Sequence, residues 1–422
     1  MGECKGGGVK LSSLSQNRSF LLLWSGQLVS WVGTEVTGLA LPLITLALTH
    51  SAGQAGAIVA MRGFAFAVFA LPAGAFVDRW DRKLVMVIAN AGSGLAMGGI
   101  CVALALNHLA IAFLYAASLI EGVSFAFANL ARFASLPSVA RNEQYPKAMA
   151  AMSVAENMAQ LIGPLLGGIL YQALGAVFAF LADTCSYFIN AISISFVTTS
   201  LQDEQPERRA TSIREEIREG IIWWWREPTI RTLNLLTSGR AAAASGSYLL
   251  VIVLAKQHHA SSATVGVVMA VAAIGGIGGS LVASQLHHWL GFHRSLQVAT
   301  VCCWLIVTSY ATTPNIAALA IITAAFFFII PLYDVTTATY SARHIPDHIR
   351  GRITSLARIL VLSSFSLGSL VAGFTLQFLG SAWTVSIFSA MLLTVTLTAW
   401  FHPAIRGSVA SAAPARTLVI PD

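Results

Sequence analysis

Apolar stretches of about 20 residues recur along the chain from about Leu21 to Trp400, parted by short polar connections. A helix rises about 1.5 Å per residue, so each stretch can cross the roughly 30 Å hydrocarbon core of a bilayer. The runs are continuous rather than alternating, which argues against barrel strands. Only 10% of the 422 residues are charged and 56% are hydrophobic, whereas soluble domains carry about 25% charged residues. The mean hydropathy is +0.72. An all-α membrane protein with about twelve transmembrane helices is expected, the spans starting near residues 21, 54, 84, 109, 148, 175, 232, 262, 295, 315, 353 and 381.

The first apolar run is too long for the core of a cleavable signal and lacks small-residue cleavage chemistry. Gly6 stands where a myristoylation signal needs Ser or Thr. Of the cysteines Cys4, Cys101, Cys185, Cys302 and Cys303, four lie in apolar runs without metal-ligand spacing and read as small core hydrophobes. No metal and no cofactor is expected.

Basic residues alternate sharply between connections. They fall in the N-terminal tail (Lys5, Lys10, Arg18), at Arg79–Lys83, at Arg141 and Lys147, and at Arg208–Arg231. They return at Arg294, at Arg343–Arg352 and in the C-terminal tail (Arg406, Arg416). The opposite connections, around His50, His108, Gly175, Pro314 and Gly380, carry no Lys or Arg, with Lys256 the exception. The positive-inside rule then makes both termini cytoplasmic. On this reading the net charge of +7 reports membrane orientation rather than nucleic-acid binding.

Residues 74–83, GAFVDRWDRK, crowd Asp78, Arg79, Asp81, Arg82 and Lys83 between spans 2 and 3. Anchoring explains Arg82 and Lys83 but not the two acids, since Asp and Glu contribute little to that rule. Residues 200–231 form the one long polar interval. Ser212 and Glu215 suit a capping box, Ile213, Ile217 and Ile221 repeat at i+4, and Trp223–Trp225 suit the headgroup level. An amphipathic surface helix is expected there, between two six-helix halves. The divisions are residues 1–199, a linker at 200–231, a second half at 232–404 and a tail at 405–422. An internal repeat supports the split: Pro137 and Pro346 differ by 209 positions, and the same offset carries Trp80 onto Trp289.

These residues carry a resemblance. Gly74-x-x-x-Asp78-Arg79-x-x-Arg82-Lys83 resembles the loop between spans 2 and 3 of the major facilitator superfamily, with Asp81 where the family usually has Gly. Ile345-Pro346-Asp347 with Arg350-Gly351-Arg352 resembles the superfamily's loop before span 11. Residues 17–33 and 217–231 resemble the branch that holds enterobactin exporters and macrolide-efflux proteins. The resemblance implies two parallel six-helix repeats and a gate role for Asp78, with Arg79 and Arg82 as partners. Gly163-Pro164-x-x-Gly167-Gly168 in span 5 resembles the antiporter motif of the family's drug exporters, with Ala159 in place of an upstream Gly. Its plain alternative is small-residue packing between membrane helices.

Charges deep in an apolar run cost at least about 2.5–3.5 kcal/mol and tend to mark pathways. Glu35 lies about 14 residues into span 1, roughly 21 Å along a helix. Glu121 in span 4 is similarly deep. Arg62, Glu156, Asp183, Arg240 and Asp334 complete the set. In the resembling fold spans 1, 4, 7 and 10 line the cavity, which favours Glu35, Glu121, Arg240 and Asp334. Glu35 and Glu121 are the candidate proton carriers; a structural ion pair between Glu35 and Arg62 is the alternative. Glu156 and Asp183 read as packing or pairing groups. Phe326–Phe328 reads as packing before it reads as a substrate platform.

The expected function is a proton-coupled exporter of small amphipathic molecules such as antibiotics, secondary metabolites or siderophores. The expected setting is a bacterial inner membrane, and the expected form a monomer. An importer, a lipid flippase or a non-transporting sensor of the same fold are the rivals. HExxH, GxSxG and P-loop patterns are all missing, which disfavours the usual hydrolase and ATPase chemistries.

Overall fold

Asn17 opens the first membrane helix, its side chain accepting the Phe20 N–H. In the computed structural model, which describes residues 14–77, 79–140, 144–202, 213–403 and 405, the helices are α1 (Arg18–Thr49), α2 (Ala52–Val77), α3 (Arg82–Ala105), α4 (Ile111–Val139), α5 (Tyr145–Ala173) and α6 (Ala176–Ser195). There follow α7 (Ile213–Arg226), α8 (Pro228–Gln257), α9 (Ser262–Ser309), α10 (Ile316–His344), α11 (Asp347–Phe378) and α12 (Gly380–Phe401). No strand occurs among the described residues.

Ten of these helices are long and apolar enough to cross a membrane. The 48 residues of α9 make two passages, parted at Gly291, whose φ of 71° and ψ of 172° interrupt the helix. A positive φ is strained for side-chain-bearing residues, so glycine is the natural break. The expected open loop between spans 8 and 9 is therefore a one-residue corner. Although α5 has 29 residues, its length is carried by a polar stripe described below. With α9 counted twice and α7 set aside, the chain makes twelve passages. Leu95, Val102, Leu281, Trp289 and Phe378 all stand exposed, as side chains facing hydrocarbon would.

The surface helix α7 lies between α6 and α8 in the chain. Trp224 is buried against Ile230, Ile345, Ile349 and Ile353, and Glu219 pairs with Arg352 of α11. Trp225 remains exposed, with the Arg231 guanidinium 5.0 Å from its ring centre. The expected Ser212–Glu215 capping box lies outside the described residues, as do Arg141 and the tail arginines.

Within the first six helices, α1 packs on α5 and α6, while α4 and α6 flank α3 and α4 also packs on α2. Among the later ones, α8 packs on α11 and α12, and α9 on α10 and α12. The two groups meet along α2 with α11 and along α5 with α9. These two crossings have the same construction. A Cβ on Gly56 would strike the Ser369 carbonyl and lie 2.8 Å from the Gly373 Cα. A Cβ on Gly266 would lie 2.6 Å from the Pro164 carbonyl oxygen and 3.1 Å from the Gly168 Cα. Beside each, a glutamine accepts an N–H from the first turn of the opposing helix. Gln377 Oε1 takes Gly53 N–H at 3.0 Å and Gln172 Oε1 takes Ser262 N–H at 3.2 Å. Those N–H groups have no partner within their own helix. Gly56 maps onto Gly266 at an offset of 210 (266 − 56), while Gly168 maps onto Gly373, and Gln172 onto Gln377, at 205 (373 − 168). The turn glycines Gly175 and Gly380, with φ of 88° and 82°, keep the offset of 205.

That register corrects the proline repeat. Pro137 sits inside α4 and Pro346 lies between α10 and α11, so the two are not equivalent positions.

Both crossings lie at the end of the bundle opposite Arg18, Arg82, Lys83, Lys147 and Arg352. Below, these are called the far end and the basic end.

Candidate functional site

Of the five acids within the membrane passages, three have close partners. Glu121 on α4 takes the Arg62 Nε of α2 at 3.1 Å and the Tyr187 hydroxyl of α6 at 2.9 Å. Its side chain is 6% exposed and that of Arg62 is 31% exposed. Gly122 allows this pairing: its Cα lies so close to the Arg62 backbone that a Cβ would strike the Arg62 carbonyl. Arg62 also lies over the Phe125 ring, 5.0 Å from its centre. Asp183 on α6 is buried in the α1 contact, where it accepts the Thr37 hydroxyl at 2.6 Å and Ser186 Oγ at 3.2 Å. Asp334 on α10 receives Arg240 Nη2 of α8 at 2.8 Å, and that guanidinium lies 4.9 Å from the Tyr333 ring centre. The Asp334 side chain is 51% exposed, facing a cavity of about 360 Å³ between α5, α9 and α10.

Glu35 is different. The half-buried carboxylate makes no hydrogen bond and no ion pair among the described residues. Arg62, the alternative partner, is taken by Glu121. Arg62, Glu156 and Tyr248 are among the groups within electrostatic reach of Glu35. Its Cβ packs directly on Gly163 of α5, where any larger residue would collide. Gly167 presses on Val36 of α1, with 2.8 Å from its would-be Cβ to the Val36 carbonyl oxygen. The adjacent Gly168 forms the far-end crossing with Gly266. Glycines 163, 167 and 168 with Pro164 thus serve two close crossings, one to α1 at Glu35 and one to α9.

The exposed polar residues of α5, Ser153, Glu156, Asn157 and Gln160, follow i, i+3, i+4, i+7 spacing and line one face. Glu156 is exposed on that face rather than packed away. Two residues not singled out from the sequence lie close by. The Arg132 guanidinium of α4 lies 4.7 Å from the centre of the Trp31 ring and 4.6 Å from that of Phe133, and the Arg358 guanidinium of α11 lies 5.0 Å from the same Phe133 centre. Both are within electrostatic reach of Glu156. Each lies within three turns of a helix end at the basic side, where arginines are ordinarily read as anchors; only the shared ring distinguishes them.

The model of the major facilitator superfamily matches residues 23–368 of this chain. The chain belongs to the major facilitator superfamily. It is 25% identical over 366 residues to the enterobactin exporter of Salmonella typhimurium, covering 86% of this chain and 87% of that protein. The enterobactin exporter of Escherichia coli O1:K1 is 22% identical over 365 residues, with the same coverage. Among solved structures, the fold is similar to a bacterial homologue of the lysosomal transporter Spinster in an inward-facing, unoccupied conformation. There the TM-score is 0.76 at 13% identity, covering 96% of this chain and 100% of that one. A bacterial homologue of ferroportin in an inward-facing state gives a TM-score of 0.69 at 15% identity, covering 92% and 99%. The protein is accordingly a multi-pass membrane transporter, not an enzyme.

In the superfamily's loop between α2 and α3, Asp78 lies outside the described residues, and Gly74 has nothing within 4 Å of its would-be Cβ. Arg79 is exposed. Asp81, where the superfamily usually has Gly, caps α3 by accepting the N–H groups of Lys83 and Leu84 at 2.8 and 3.3 Å. Arg82 is buried and donates to the carbonyls of Ala134 and Leu201 at 2.8 and 3.1 Å. Lys83 Nζ donates to the Val197 carbonyl just beyond α6 at 2.9 Å. Of these contacts, the one from Lys83 lies at the C-terminal end of α6, where a cation complements the negative end of the helix.

Proposed function

We propose that the protein is a proton-coupled exporter of small amphipathic molecules, with Glu35 as the proton-carrying group and the basic end in the cytoplasm. The observation that carries the reading is the half-buried Glu35, whose carboxylate has no partner among the described residues and whose Cβ packs on Gly163, less than two helical turns from Gly168 at the α5–α9 crossing. An acid whose neighbours already neutralise it has little reason to take up a proton; one left without a partner in an apolar bundle does. The polar face of α5 and the exposed Asp334 support a solvated cleft between the halves. The crossings at the far end support a state closed there, in keeping with the inward-facing structures it resembles. The two six-helix halves of residues 1–199 and 232–404, joined by the linker at 200–231 and followed by the tail at 405–422, would act as the rocking bodies.

In this cycle, substrate enters the cleft from the basic end and Glu35 gives up its proton to that side. The charged carboxylate loosens α1 from α5, and the far-end crossings part. A proton arriving from the far side reloads Glu35 as substrate leaves, and the halves return. The cycle runs because proton and substrate favour different states. Similarity to enterobactin exporters supports export and a siderophore-like substrate; a single working chain suffices.

The test is uphill transport in inverted membrane vesicles, using a panel of amphipathic dyes and antibiotics and an imposed proton gradient. Wild type is expected to accumulate at least one compound, and Glu35→Gln to lose that accumulation at normal expression. Undiminished accumulation by Glu35→Gln would remove Glu35 from the role. Movement in the opposite sense would make the protein an importer.

A further inference from the structure

We infer that the cleft holds an anion-binding site built across the two halves on Arg132 of α4 and Arg358 of α11, and that its occupant is an aromatic anion. The inference rests on the exporter reading above and supplies its substrate class. Two guanidinium groups share one ring, 4.6 and 5.0 Å from the centre of Phe133, one on each side of the boundary between the halves. A guanidinium held against a ring keeps N–H donors for other acceptors. Arg132 spends one donor on Asn129 Oδ1 at 2.7 Å. Arg358 is exposed and has no hydrogen bond or ion pair among the described residues. Glu156 is near enough to be felt by both, yet pairs with neither.

Two like charges on one ring repel. An anion bridging their free edges removes that repulsion and gains charge-assisted, bidentate contacts. A cavity of about 40 Å³ opens beside Arg132, between Trp31, Phe133, Ser153 and Glu156; its lining comes from the first six helices alone, and Arg358 lies against the Phe133 ring from outside it. The Trp31 and Phe133 rings offer an aromatic portion of the same ligand a surface to stack on. A cation would meet only Glu156 against two arginines. Because one arginine comes from each half, an anion held by both draws the basic ends together. Occupancy thereby favours closing the side from which substrate came.

Two probes of opposite charge test this on the purified full chain: carboxyfluorescein, an aromatic anion, and ethidium, an aromatic cation, each followed by fluorescence polarisation. Carboxyfluorescein is expected to bind the tighter, and Arg358→Gln to weaken it about tenfold, roughly 1.4 kcal/mol. Because Arg358 is exposed, the variant keeps the wild-type melting temperature. Arg358→Lys, with charge but no fork, falls between. Tighter binding of ethidium, anion binding indifferent to Arg358→Gln, or binding of neither probe would overturn the inference. Anion binding that follows the arginines without accumulation in inverted vesicles would sink the exporter reading alone. Accumulation of ethidium in its place would keep that reading and overturn this inference.

Discussion

At the scale of the residue, the arrangement is a division of labour among charges. Arg62 neutralises Glu121, Arg240 neutralises Asp334, and Thr37 with Ser186 satisfies Asp183, so Glu35 and Glu156 remain as the acids that make no hydrogen bond or ion pair among the described residues. A second residue-scale consequence concerns Asp81. A cap of this type contributes about 1 kcal/mol over Ala, while Gly in its place costs only a few tenths. Asp81→Ala is therefore expected to lower the melting temperature measurably and Asp81→Gly, the superfamily's usual residue, hardly at all; equal losses would show that the cap does not matter. The acids were legible in the sequence because a charge in an apolar run stands out. Their pairings were not, since Arg62 is compatible with either Glu35 or Glu121 until Gly122 brings α4 against the Arg62 backbone. Arg132 and Arg358 were hidden for the opposite reason: near a basic membrane edge, an arginine looks like an anchor.

At the scale of the element, the two far-end crossings are the same device used twice. Each is a pair of glycines that lets two backbones touch, with a glutamine from one helix holding the first turn of the other. Neither can accept a methyl group without the backbones moving apart. Gly56→Ala and Gly266→Ala are therefore expected to open the far end to similar degrees, read as faster labelling of a cysteine placed at Thr264 by a membrane-impermeant maleimide. Gly74→Ala, with open space around it, is the matched control and should leave the rate unchanged. Unchanged labelling in both crossing variants would mean the far end is held by other contacts. Helix starts were legible to within a few residues from hydropathy and charge. The corner at Gly291 was not, because a helix broken at a single residue leaves no polar gap. The repeat was visible, but in the wrong register, because prolines can sit within a membrane helix as well as beside one.

At the scale of the whole molecule, Glu35 and the far-end crossing share α5. Gly163 meets Glu35 on α1, and Gly168, less than two turns on, meets Gly266 on α9. A change of charge at Glu35 is thus one packed contact away from the α5–α9 seam at the far end. This link needs no knowledge of the substrate, so it can be tested without one. The most direct measurement is the distribution of distances between spin labels placed across the halves, one pair at Asn107 and Pro314 for the far end and one at Ser200 and Arg343 for the basic end. Wild type should shift its populations between acidic and alkaline pH, with opposite changes at the two ends. Glu35→Gln, which cannot take on charge, should hold the acidic-pH distribution throughout. A wild type indifferent to pH, or a Glu35→Gln variant that still responds as wild type does, would contradict the account.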